Sequence, residues 1–384
     1  MNAYRALCDH FEELSELDHI QGLLDWDRRV MMPPGAAAER ARTLSAVARW
    51  RRARLADPRV AEWLAAADGA RMGADERANL REMARLHCRA AAVPEDLTVA
   101  LTEARARAES AWEACLPEGR WAELRPRLEE VVRRVREQAS ALAEAESTTP
   151  YGALLAGFQP GLSAERVENL LGQLDGFLPD LVARASASRG GEPRGPGGTF
   201  PLSAQERLAR EVVELLGYDF RRGRLDRAAH PFTGGALGDI RITTRFDERD
   251  FTSGLLAAVQ EAGHALYEQH LPAGWARQPA GRARGMAVHE GQSLFMEKQV
   301  GLHPGFLGLM SGRIGGILGE AGEREVPPGP ALFRRLTRVD PGLIRVDADE
   351  CTYPLHIRLR HRLEQDLVTG DLEVADLPEA WEAG

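Results

Sequence analysis

Gln260-Glu261-Ala262-Gly263-His264, inside the longer stretch Leu255 to Gln292, decides how this sequence is read. Leu255, Leu256, Val259, Gly263, Leu266 and Tyr267 recur at helical spacing, which predicts a largely buried helix ending before Leu271-Pro272. Gln, Glu and His are unusual on such a helix. Positions 260 and 264 lie one turn apart on one face, with 261 beside them. The same geometry underlies the H-E-x-x-H signature, in which two imidazoles hold one metal ion and the Glu activates a water. Here glutamine stands where the first His would be.

Around this stretch the composition is that of a globular protein. Its 384 residues, 44% of them hydrophobic, suffice for a sizeable core. A net charge of −9 argues against nucleic acid or an anionic membrane as the main partner, since phosphate binding needs a concentrated basic surface. Lys298 is the only lysine, and the arginines are interleaved with acids, as on solvated helix faces. Cys8, Cys88, Cys115 and Cys351 form no C-x-x-C pair and read as four buried, reduced thiols. Met1 to Leu17 lacks a basic-then-apolar signal pattern, and no apolar run is long enough for a bilayer, so a cytoplasmic location is expected.

Taken in order, the chain is mainly helical. Helices are expected from Tyr4 to about Val30, over Ala36 to Ala67 with a break near Asp57-Pro58, over Asp75 to Arg89, Glu95 to Cys115 and Trp121 to Ala145. Tyr151 to Pro160 reads as a connector, followed by a helix from Ser163 to about Ser186. The Gly- and Pro-rich stretch 189–199 reads as a surface loop between a helical half, 1–188, and a half carrying the motifs, 200–384, within one region spanning 1–384. Asp239 to Phe246 alternates as a strand does, and Leu343 to Val346 is the other strand-like piece. Met286 to Gly301 reads as a helix with His289-Glu290 in its first turn and Leu294, Phe295 and Val300 on its apolar face.

A zinc hydrolase needs three protein ligands and an open position for water. His264 supplies one, Glu290 is the natural carboxylate from a neighbouring helix, and Glu261 would be the general base. Five blocks then carry a resemblance: His230-Pro231-Phe232, Asp239-Ile240-Arg241-Ile242-Thr243, residues 260–264, His289-Glu290-Gly291-Gln292, and Ile344-Arg345-Val346-Asp347-Ala348-Asp349. In this order they resemble the carboxypeptidase Taq family of metallocarboxypeptidases. Asp25-Trp26-Asp27 running into Met31-Met32-Pro33-Pro34-Gly35 fits as well.

The resemblance implies a mainly α, elongated multi-helix, zincin-like metallopeptidase fold with a deep groove and a very small β-sheet. It implies zinc or another divalent metal, release of single residues from peptide C-termini, and a homodimer in the cytoplasm. His264 and Glu290 become metal ligands, with Gln260 at the first-ligand position, and Glu261 becomes the catalytic base. Arg241 and Arg345 become candidates for the substrate carboxylate, which an arginine fork matches. His230 and His289 become cleft residues that bind substrate. Losing one good ligand at Gln260 should cost on the order of 3 kcal/mol, about a hundredfold in affinity. Family members also continue past the position of Gly384 with a segment that helps wall the cleft.

Structural alternatives stand beside these roles. Glu261 and His264 could be a buried pair satisfied inside a bundle. Arg241 and Arg345 could be ion-paired to Asp239 and Asp349, His230 a turn residue packing on Phe232, and His289 a residue that orients Glu290. Tyr353 and His356 are second choices. Two functions follow: a metal-dependent carboxypeptidase with an impaired metal site, or a catalytically inactive relative that binds peptide C-termini or a protein partner.

Overall fold

The computed structural model describes residues 2–187, 199–319 and 326–384, so most of the Gly/Pro stretch, 189–198, lies outside the described residues. The described chain is mainly helical with one three-stranded sheet. It forms two compact units that interleave in sequence: Met1–Met83 with Ala185–Val339, and Ala84–Arg184 with Asp340–Gly384. Among the described residues no helix is long and apolar enough to cross a membrane.

The first unit carries the sheet. β3 (Asp239–Thr244) lies at the centre, parallel to β1 (Leu225–Arg227) and antiparallel to β2 (Thr233–Ala236). Ile240 and Ile242 point from β3 into a core with Ala258, Ala262 and Ala265 of the helix Phe251–Gln269. That helix presents alanines at positions i, i+4 and i+7, so its backbone lies close against the sheet. Its other side meets a second core built from Phe200, Leu208, Val212, Phe251, Val259, Leu307, Met310 and Ile314. The helix Ala3–Val30, begun by Asn2 and ended before Pro33, packs on β2. Gly22 allows this approach, because a Cβ there would stand 2.1 Å from the carbonyl oxygen of Gly235. Trp26, from the same helix, is buried against Phe232 with ring centroids 5.2 Å apart.

In the second unit Glu95–Cys115 and Trp121–Glu146 lie side by side, and Tyr353–Thr369 packs on the latter. Arg358, buried on that last helix, holds Glu168 at 2.5 and 2.6 Å and Asp175 at 3.2 Å. His361 lies one turn further on and meets Tyr151 Oη at 3.0 Å.

Several expectations are corrected. Leu343 to Val346 is not a strand: residues Arg345–Asp347 form a 3-10 turn, and Leu343 and Val346 are 91% and 76% exposed. Tyr151 to Pro160 is a helix, Pro150–Phe158, capped by the Thr149 hydroxyl on the Gly152 amide at 3.1 Å. The segment from Ser163 holds two helices, Ala164–Asp175 and Leu178–Ala187. Met286 to Gly301 runs as an α-helix only through Leu294 and continues as a π-helix, Phe295–Gly301, with Phe295 exposed. Of the four free cysteines only Cys115 is fully buried.

The Gly22 contact sets a test. Gly22→Ala is expected to cost about 1–3 kcal/mol in urea unfolding, because helix and strand must separate to admit a methyl group. An unchanged midpoint would contradict the packing of Ala3–Val30 on β2.

Candidate metal centre

The motif helix, Phe251–Gln269, starts at Asp250, whose carboxylate accepts from the Thr252 amide at 2.9 Å. The carboxylate helix, Met286–Leu294, crosses it closely at Gly263. A Cβ on Gly263 would stand 2.6 Å from Ser293 Cα and 2.9 Å from the Gln292 carbonyl oxygen. Beside this crossing the polar groups meet. His264 Nε2 lies 3.0 Å from Glu290 Oε2, and Gln260 Nε2 donates to Glu290 Oε1 at 3.3 Å. Glu261 turns the other way, is only 7% exposed, and accepts from Thr233 Oγ1 of β2 at 2.7 Å.

His289 sits against this group. Its ring meets His264 edge-on at 4.6 Å and Tyr267 at 5.2 Å, and its Nε2 lies 3.3 Å from Glu268 Oε1. Protonation follows from burial and charge. Burial lifts Glu261 above the usual carboxylate range, against the Thr233 hydrogen bond and the charge of His264. Burial opposes a charge on His264, but the Glu290 hydrogen bond and the charge of Glu261 outweigh it and raise its pKa. The His264 hydrogen bond in turn holds Glu290 low. Burial, with His264 beside it, pushes His289 down, so its ring is neutral near pH 7.

Whether these residues suit a metal can be tested on their geometry. Two donors 3.0 Å apart need to open by only a few tenths of an ångström to reach the roughly 3.3–3.6 Å between neighbouring ligands on one tetrahedral ion with bonds of about 2.0–2.2 Å. Gln260 can add its amide oxygen by turning its side chain over, as a neutral and weaker donor. Two observations count against a strong site. His264 Nδ1 is buried without a hydrogen-bond partner, where a metal-bound His ordinarily donates to a carboxylate or carbonyl. Among the described residues, no three His, Cys, Asp or Glu side chains gather as a metal-holding group. The set fits a divalent ion held by two strong donors and one weak one.

Arg241, on β3, is bonded by Nε to both oxygens of Asp239 at 2.9 and 3.0 Å. Arg345 belongs to the second unit, where its Nη1 donates to Tyr353 Oη at 3.1 Å. Asp349 accepts from the amides of Asp340, Cys351 and Thr352 at 2.9 to 3.0 Å. His230 is exposed before β2, its carbonyl oxygen accepting from Thr243 Oγ1 at 3.4 Å. Sequence reading passed over Thr233 and Glu268. The signal for Thr233 was a hydroxyl directly after His230-Pro231-Phe232; Glu268 stands one turn beyond His264. Both line a cavity of about 340 Å³ shared with His289 and Arg282.

A Glu-x-x-His helix crossed by a carboxylate-bearing helix places the molecule among helical proteins of metallopeptidase type. The chain belongs to the carboxypeptidase Taq (M32) metallopeptidases, whose family model matches residues 6–384. It is similar to thermostable carboxypeptidase 1 of Thermus thermophilus, 38% identical over 99% of this chain and 76% of that protein. Among solved structures it is similar to Trypanosoma cruzi metallocarboxypeptidase 1, with a TM-score of 0.94 at 34% identity over 99% of this chain and 76% of that one. The M32 carboxypeptidase of Deinococcus radiodurans R1 superposes with a TM-score of 0.92 at 31% identity, covering 100% of this chain and 77% of that one.

Gly263→Ala tests the crossing. It is expected to lower stability by about 1–3 kcal/mol in urea unfolding and to weaken divalent-metal binding measured by calorimetry. Full stability together with unchanged metal binding would show that the two helices do not need this contact.

Proposed function

We propose that this chain removes single residues from peptide C-termini by metal-dependent hydrolysis, with metal affinity and rate lowered by Gln260. The observation that carries the reading is the approach of His264 Nε2 to Glu290 Oε2, 3.0 Å, beside a buried Glu261. His264 and Glu290, with the Gln260 amide oxygen, would hold zinc or another divalent ion. When bound, the ion supplies Lewis acidity toward water and the peptide carbonyl. Glu261 takes a proton from the attacking water as the new C–O bond forms. It then gives that proton to the leaving amine nitrogen as the C–N bond breaks, and returns to its ionised form. Its raised proton affinity suits both halves of that cycle. Arg345, whose Nη1 donates to Tyr353 Oη, has no carboxylate partner among the described residues, whereas Arg241 is already held by Asp239.

A second reading has its own support. The bond from Gln260 Nε2 to Glu290 satisfies a would-be metal ligand from within the protein. On that reading the chain binds peptide C-termini without cleaving them.

Bound metal in the purified protein and release of C-terminal residues, followed by mass spectrometry, decide between the two. The hydrolase reading expects stoichiometric zinc at saturating metal, slow release, and about hundredfold tighter zinc in Gln260→His. Glu261→Gln is expected to lower the rate by about 10²–10⁴ while leaving metal bound. Metal and activity found only in Gln260→His would instead establish the non-cleaving reading.

A further inference from the structure

Thr233 makes a contact with Glu261 that neither the motifs nor the metal ligands account for. Its Oγ1 stands 2.7 Å from Glu261 Oε2 and 2.9 Å from the main-chain oxygen of the same residue. A hydroxyl carries one proton and can give it to only one of these acceptors at a time, while its oxygen can accept another. The carboxylate is the stronger acceptor and takes the Thr233 proton, which fixes Oε2 and leaves Oε1 outside this bond.

We propose that Thr233 is a positioning residue for the general base, its hydroxyl holding the Glu261 carboxylate in one orientation. Burial makes this necessary: at 7% exposure Glu261 has little access to water that could take over that bond. The strand makes it possible. β2 is paired to β3 on one side and approached at Gly235 by Gly22 of the helix Ala3–Val30, so the Thr233 hydroxyl is presented by a fixed backbone. The motif helix is fixed against the same sheet through Ala258, Ala262 and Ala265, and donor and acceptor therefore share one rigid support.

The inference rests on the hydrolase reading, and the experiment separates the two. C-terminal residue release at saturating zinc is measured for the unmodified chain, Thr233→Val and Thr233→Ser. Thr233→Val, equal in shape but without the hydroxyl, is expected to lower kcat about ten- to hundredfold with KM within about twofold. Thr233→Ser is expected to restore most of kcat. Should Thr233→Val fail to fold, Thr233→Cys, close in shape with a weak donor, decides by the same split between kcat and KM. A kcat for Thr233→Val equal to that of the unmodified chain, a loss confined to KM, or a Ser variant as slow as the Val variant overturns the role of Thr233 alone. No release by the unmodified chain overturns the hydrolase reading, and this inference with it.

Discussion

The candidate site depends on two helix backbones approaching at Gly263 and Ser293 more closely than any side chain on Gly263 would allow. The crossing is made by small residues, and small residues contribute little burial of their own. What holds the helices there is the apolar packing to either side. Three alanines press the motif helix onto the sheet, and Val259 belongs to the core around Met310 and Ile314. Position and chemistry are thus divided between residues: the apolar ones set the spacing, and the polar ones inherit it.

The polar group that inherits this spacing is a concentration of like charge. Glu261, Glu268 and Glu290 surround His264 and His289 in a largely buried setting. Carboxylates taken from water lose hydration that partners must replace. Glu290 recovers part of it from His264 and Gln260, and Glu261 from Thr233. Burial leaves the Glu268 carboxyl, with His289 Nε2 at 3.3 Å, above the usual carboxylate range. A divalent cation would relieve the mutual repulsion of the set.

Much of this was legible in the sequence because it rests on long periodic patterns. The helix bearing Gln260 to His264 and its end before Leu271-Pro272 followed from apolar spacing, and β3 followed from alternation. The approach of Glu290 to His264 was expected from chemistry and is seen. The features that escaped are short or depend on distant neighbours. β1 and β2 have three and four residues, two of them glycine in β2, too few for a pattern. The helix at Pro150 was announced by Thr149 and Pro150, a cap and an N1 proline, but its small and aromatic residues masked it. Leu343 to Val346 has strand-like composition, but among the described residues it pairs with no strand. No local signal shows that Gly263 faces Ser293, since the meaning of that glycine lies thirty residues downstream.

The π-helix at Phe295–Gly301 gives the carboxylate helix its register. Ser293 and Gly301 both touch the motif helix, Ser293 at Gly263 and Gly301 at Val259, where an added Cβ on Gly301 would meet Val259 Cγ1 at 3.3 Å. On an unbroken α-helix two positions eight residues apart point roughly 80° away from each other. A π-bulge absorbs one extra residue, and the pair then behaves as if seven apart, roughly 20° from a common face. The widened turn therefore keeps the second helix seated along the first on both flanks of the imidazole and carboxylate. Chain length in this segment is counted in single residues, and one more or one fewer would swing Gly301 off the seam while leaving every side chain of the site unchanged in kind.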